Sequence, residues 1–210
     1  MEKEHVIKIY SLNIDEIDLS DDGIMSVIAL SYKCKAERIK DKEGKKLEIG
    51  AGYLLYKYLG VKCDEDLAYN EYGKPFLKNG SGMEFSLSHS GRYVVLAVSD
   101  MPIGVDVESK HNLSLRILKR VLPKAQYQKI KNKDYSDEVF YEEGKTVQYE
   151  DEKLIWAKKW TSVEAVLKAF GKGFYFDPKA DDTYMDGWDI LSFRLDEEYV
   201  FSAAFKKTDE

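Results

Sequence analysis

Apolar and polar positions alternate with a period of two from His5 to Ile14, which predicts an opening strand. Between Ser20 and Gly60 the spacing becomes helical, with an apolar face at Ala51 to Leu59 and a break expected at Gly44. Glu71 to Pro75 (EYGKP) reads as a turn punctuated by Gly and Pro. Glu84 to His89 and Tyr93 to Ser99 read as strands joined by a short hairpin, and Ile103 to Glu108 as a third strand behind Pro102. Helices are expected at Leu113 to Arg120 and Lys124 to Lys131. A long helix should run from Glu152 to Phe170 and stop at Gly171. Strands at Trp188 to Leu195 and Glu198 to Lys206 close the pattern. The order is strand, helices, strands, and then the same again. It predicts an α+β fold of two similar halves, 1–101 and 102–210, with no residue-level repeat between them.

Composition narrows the class. Across 210 residues, 44% hydrophobic and 33% charged content fits a folded domain rather than a disordered chain. A net charge of -6 argues against a general nucleic-acid binder. No stretch is long and apolar enough to span a membrane, and MEKEHVIKIY lacks the basic-then-apolar layout of a secretion signal. Cys34 and Cys63 lack paired spacing and read as reduced thiols of a cytoplasmic protein. From Asp134 to Glu152 there are eight acids and one lysine, which predicts a solvated loop.

Several clusters carry candidate chemistry. Along the strand at Ile103, side chains alternate between faces. Ile103, Val105 and Val107 form an apolar row, and Gly104, Asp106 and Glu108 form the opposite one. Gly104 leaves room for a ligand near the backbone. From this strand alone, a half-buried strand with one wet face explains the row more simply. Glu164 and Lys168, four apart in WTSVEAVLK, share a helix face. They fit an exposed ion pair, or equally a third oxygen ligand beside a phosphate contact. Asp106, Glu108 and Glu164 together would suit magnesium, which takes a few carboxylates plus phosphates and waters. SLSHSGR, Ser86 to Arg92, offers hydroxyls, an imidazole and a guanidinium to an anion, or is only a polar hairpin tip. Lys33 to Lys46 carries seven cations against three acids, a solvated helix face or a collector of anions. Gly50-Ala51-Gly52 is too short for a dinucleotide fingerprint.

EYGKP, FSLSHSGRYVVLAVSDMPIGVDVE and WTSVEAVLKAFGKGF, in that order, resemble the 4'-phosphopantetheinyl transferases of the surfactin-synthetase-activating type. The resemblance runs from about Lys35 onward. It implies two α+β halves related by a pseudo-twofold axis, with the active site between them. It also implies transfer of phosphopantetheine from coenzyme A to a serine of an apo acyl or peptidyl carrier protein, releasing adenosine 3',5'-bisphosphate. Asp106, Glu108 and Glu164 then correspond to Mg2+ ligands, Glu164 also to the base, and Lys168 to a pyrophosphate contact. Ser88, His89 and Lys74 correspond to coenzyme A contacts, with Lys35, Arg38 and Lys46 as cations for the 3'-phosphate. A monomer that contacts neither nucleic acid nor membrane is expected. Two positions depart from the pattern. Val163 stands where the family usually has lysine, with Lys158 or Lys159 as possible substitutes, and lysines replace an arginine before Gly50. Two other readings compete: a relative that binds coenzyme A or a nucleotide without transfer, and an acidic interaction protein.

Overall fold

The computed structural model describes residues 5–78, 80–181 and 183–207. Contacts divide the chain into two units, Met1–Met101 and Pro102–Glu210.

In the first unit, strand β1 (Ile7–Asn13) leads through helices α1 (Asp22–Val27), α2 (Leu30–Arg38) and α3 (Lys42–Leu59) to a small ribbon of β2 (Leu67–Tyr69) and β3 (Pro75–Leu77). The hairpin β4 (Glu84–Ser90) and β5 (Tyr93–Ser99) follows. The main sheet is antiparallel, in the order β1-β5-β4. Gly44 does not break the helical region. The interruption comes at 39–41, and the Asp41 side chain caps α3 by accepting from the Gly44 N–H at 2.6 Å. Gly50 lies within α3 against Leu12, Ile17 and Val94, where the helix meets the sheet. Ile49, Leu54, Leu55, Phe85, Val94 and Leu96 form the centre of this core.

In the second unit, β6 (Ile103–Ser109) is followed by α4 (Leu115–Val121) and α5 (Lys124–Lys131). Next come β7 (Phe140–Glu142), β8 (Lys145–Val147), the long helix α6 (Glu152–Phe170), and strands β9 (Trp188–Arg194) and β10 (Tyr199–Lys206). The sheet runs β6-β10-β9-β7-β8. Its first three strands repeat the order of the other unit: the last strand is central, between the first and the penultimate. Only the β7–β9 pairing is parallel among the described strands.

The acidic stretch 134–152 is not a solvated loop. Phe140 is fully buried, and β7 adds to the sheet beside β9. Glu138 is buried too, bridged to Lys158 at 2.5 Å and to Lys159. Burial would raise its carboxyl, but the two ammoniums outweigh burial and hold it below the usual range. Both lysines are therefore engaged in fastening this segment to α6.

Helix α6 has clear ends. Asp151 accepts from the N–H groups of Lys153 and Leu154, and Gly171, at φ 73°, closes the C-terminus on the carbonyls of Leu167 and Lys168. Its apolar side buries Ile155, Val163, Val166 and Leu167. Burying each such side chain fully is worth about 2 kcal/mol. The helix packs across β6 and β10. Among the described residues, no helix is long and apolar enough to cross a membrane.

Candidate functional site

The row Gly104, Asp106, Glu108 is not a wet face. Gly104 is buried and Asp106 is 7% exposed, because α6 covers them. The space at Gly104 admits not a ligand but the helix backbone. A Cβ there would stand 1.9 Å from the Ala165 carbonyl oxygen and 2.5 Å from the Ala169 nitrogen. Two residues along the same face, Asp106 Oδ1 accepts from Lys168 Nζ at 2.7 Å. Opposite Asp106 in the register is Ser202. Its hydroxyl lies 2.7 Å from Thr161 Oγ1 on α6 and 2.8 Å from Ser192 Oγ. This buried hydroxyl seam satisfies its own polar groups and ties the helix to the sheet.

Glu164 sits one turn before Lys168 on α6. Burial first, and then the charge of Asp106, push its carboxyl up to about 7; Glu108 adds to the rise and Lys168 opposes it. Asp106, Glu108, Glu164 and Lys168 thus share one neighbourhood. Glu108 is anchored from its own strand end, where Oε1 accepts from the Ser109 N–H at 2.7 Å and from Asn112 Nδ2 at 2.8 Å. Beside Glu108 opens a cavity of about 460 Å³ lined by Leu113, Ile117, Arg120, Val121 and Trp160.

The donor set suits a hard divalent cation: three carboxylates whose mutual repulsion one dication would relieve. It is not a finished cage. Among the described residues, no group of three or more His, Cys, Asp or Glu side chains is arranged to hold a metal as it stands. Lys168 supplies the positive charge at Asp106.

The raised Glu164 carboxyl has a consequence for stability. The folded protein holds this proton more tightly than the unfolded chain, where the ordinary value is 4.5. For an acid raised in this way, the stabilising contribution is complete below about 4.5 and is lost as pH rises through about 7. The metal-free protein is expected to lose up to roughly 3 kcal/mol from this group across that window. In Glu164→Gln that part of the slope should vanish. Urea unfolding of both proteins in chelator, at several pH values, checks it, and identical slopes would count against it.

The other sequence-predicted residues lie in the first unit. Lys74 is not a free surface cation: its side chain is only 17% exposed and stands 3.7 Å from Glu84. Burial holds its ammonium below the usual lysine range, with Glu84 opposing. On β4, Ser88 is buried, while the next residue, His89, is partly exposed with Nε2 3.7 Å from Glu48. Lys46 donates to the Ile14 carbonyl at 3.0 Å, and Lys35 lies over the Tyr32 ring at 4.7 Å. Arg38 is exposed in the last turn of α2. Lys35, Lys46, Lys74 and His89 thus have separate partners in this structure. Val163 is 1% exposed on the packed side of α6. Sequence reasoning missed Asn112, which anchors Glu108, and Tyr184, whose buried hydroxyl has no hydrogen-bond partner among the described residues. Asn112 stands in a glycosylation-like triplet that says nothing of Glu108, Tyr184 lies in no motif, and no spacing rule would have found either role.

The 4'-phosphopantetheinyl transferase superfamily matches residues 102–209, the second unit with its carboxylates and α6. The chain is 30% identical over 176 residues to the 4'-phosphopantetheinyl transferase Sfp of Bacillus subtilis (strain 168), covering 80% of this chain and 71% of that protein. It is 32% identical over 108 residues to the 4'-phosphopantetheinyl transferase gsp of Aneurinibacillus migulanus, covering 50% and 38% of the two. A Candida glabrata protein, L-aminoadipate-semialdehyde dehydrogenase-phosphopantetheinyl transferase, is 26% identical over 121 residues, covering 54% and 42%. The chain belongs to the 4'-phosphopantetheinyl transferase superfamily.

Proposed function

We propose that this protein transfers 4'-phosphopantetheine from coenzyme A to a serine hydroxyl of an apo acyl or peptidyl carrier protein, releasing adenosine 3',5'-bisphosphate. The observation that carries the proposal is the grouping of Asp106, Glu108, Glu164 and Lys168 where α6 crosses β6, inside the segment the family matches. The chemistry needs a neutralised pyrophosphate, a positioned hydroxyl and an acceptor for its proton.

Lys168 is the pyrophosphate contact in this reading. Its ammonium reaches the carboxylate row from one helical turn beyond Glu164, so it can turn from Asp106 to an anionic substrate. Glu164 is the candidate base. With a carboxyl at about 7 it is poised to take a proton near neutral pH. Asp106, Glu108 and Glu164 would hold Mg2+, which when bound supplies positive charge to the pyrophosphate and the departing bisphosphate. A metal would lower the Glu164 carboxyl, so its roles as ligand and base pull in opposite directions.

Lys74, Ser88 and His89 are proposed coenzyme A contacts, with Lys35, Arg38 and Lys46 as cations toward the 3'-phosphate. Lys46 must leave the Ile14 carbonyl to serve there. The shared strand order supports reading residues 1–101 and 102–210 as two similar halves, and a monomer belongs to the same proposal. The binding-only reading rested on Val163. That side chain packs in the core, so its position offers no cation site here and lends that reading no support.

The test is mass spectrometry of several apo carriers incubated with the protein, coenzyme A and Mg2+. The expected result is a gain of one phosphopantetheine on the carrier serine. No gain on any carrier, with coenzyme A binding retained, would favour the binding-only reading.

A further inference from the structure

Asn112 ends the single helical turn, Lys110–Asn112, that follows β6. The turn is held from both ends. The Lys110 N–H donates to the Glu198 carbonyl at 2.8 Å, and the Lys110 ammonium donates to Asp151 at 2.8 Å. Ser109 Oγ accepts from the His111 N–H at 3.3 Å, and Leu113, the next residue on, is buried. The Asn112 side chain is exposed, yet Nδ2 donates to Glu108 Oε1 at 2.8 Å. The Ser109 N–H donates to the same oxygen at 2.7 Å. A carboxylate oxygen only accepts, so it is the nitrogen of the amide that faces it.

We propose that Asn112 is a positioning residue that makes Glu108 a one-oxygen ligand, and so sets a preference for Mg2+ or Mn2+ over Ca2+. With Oε1 committed to two N–H groups, the ion meets Oε2 alone. Single carboxylate oxygens serve a small octahedral ion well. Ca2+ takes more oxygens and gains from carboxylates that chelate with both. An amide suits the task because it donates without charge. Lysine or arginine at 112 would neutralise Glu108, as Lys168 does at Asp106, and aspartate would repel it. Asn112 and Glu108 line the same cavity, so the contact lies at the wall of the site. Asn112 touches no substrate in this account and acts through Glu108. The inference rests on the metal site of the transferase reading above.

Asn112→Ala removes the donor, and Asn112→Gln keeps one. The test is calorimetric titration of the full chain with Mn2+ and, separately, with Ca2+, in the presence of coenzyme A. In Asn112→Ala, Mn2+ affinity should fall about tenfold while Ca2+ affinity stays within about threefold. Asn112→Gln should restore most of the lost Mn2+ preference. The melting temperature should stay within about 4 °C of the parent, as for the loss of one exposed hydrogen bond. A purely structural contact would not distinguish the two ions. An unchanged Mn2+-to-Ca2+ ratio in Asn112→Ala therefore overturns the proposal, as does a parent protein that binds neither ion. Where the parent transfers phosphopantetheine, Asn112→Ala should need about tenfold more Mg2+ for half its maximal rate. If the parent transfers nothing to any carrier, it is the transferase reading that fails, and the ion ratio alone judges Asn112.

Discussion

Asp106→Asn and Glu164→Gln should each cut phosphopantetheine transfer by about a thousandfold or more. Both changes keep side-chain volume and remove one negative charge. Asp106 is enclosed between β6 and α6, so no neighbouring water can take over its place near the pyrophosphate. Its loss also leaves the Lys168 ammonium without the carboxylate it now contacts. Glu164→Gln removes the proton acceptor and a proposed ligand together. The measurement is the single-turnover rate on an apo carrier at saturating coenzyme A, with coenzyme A affinity read by calorimetry. Affinity should fall far less than the rate, since the proposed nucleotide contacts of the first unit are untouched while the proposed metal contact to the pyrophosphate is lost. A variant that retains full activity would remove its carboxylate from the chemistry.

The second large effect belongs to a residue with no side chain. Gly104→Ala places a methyl carbon 1.9 Å from the Ala165 oxygen and 2.5 Å from the Ala169 nitrogen. Both are backbone atoms, so no rotamer change relieves the clash. The helix must back away by on the order of 1 Å, which forfeits packing along its whole buried side. The expected cost is about 3 kcal/mol or more, a fall of roughly 6–12 °C in melting temperature. Transfer should drop with it, because the same shift draws Glu164 and Lys168 away from Asp106. Thermal unfolding with a parallel activity assay reads both effects. A melting temperature within about 2 °C of the parent would mean that the helix and strand are not locked at this crossing.

These two cases show what the sequence revealed and what it left hidden. Asp151 and Gly171 fix α6 through local rules of capping, and its predicted ends match the structure. The strands at Tyr93 and Ile103 follow from alternation, and the Asp106–Glu108 row was visible in the same pattern. Alternation cannot say what lies over a face, so the row looked wet and Gly104 looked like room for a ligand. The hairpin of β7 and β8 was missed because its acids resemble a solvated run; one of them, Glu138, is buried against two lysines that lie some twenty residues on. Gly44 looked like a breaker because its place in the first turn of a helix capped by Asp41 depends on where that helix begins. Tyr184 reads as one more tyrosine in a loop until its hydroxyl is found buried, with no hydrogen-bond partner among the described residues.

In each unit the last strand to be made lies between the first and the penultimate. β10 lies between β6 and β9, and β5 between β1 and β4. During synthesis, therefore, the segment through residue 101 can complete its sheet while the rest of the chain is still inside the ribosome. The second segment cannot, because β6 cannot pair with β10 until Tyr199–Lys206 has emerged. Nascent chains stalled with residues 1–195 outside the exit tunnel and treated briefly with protease should keep 1–101 and lose 102–195. Survival of both segments at that length would refute this order of events.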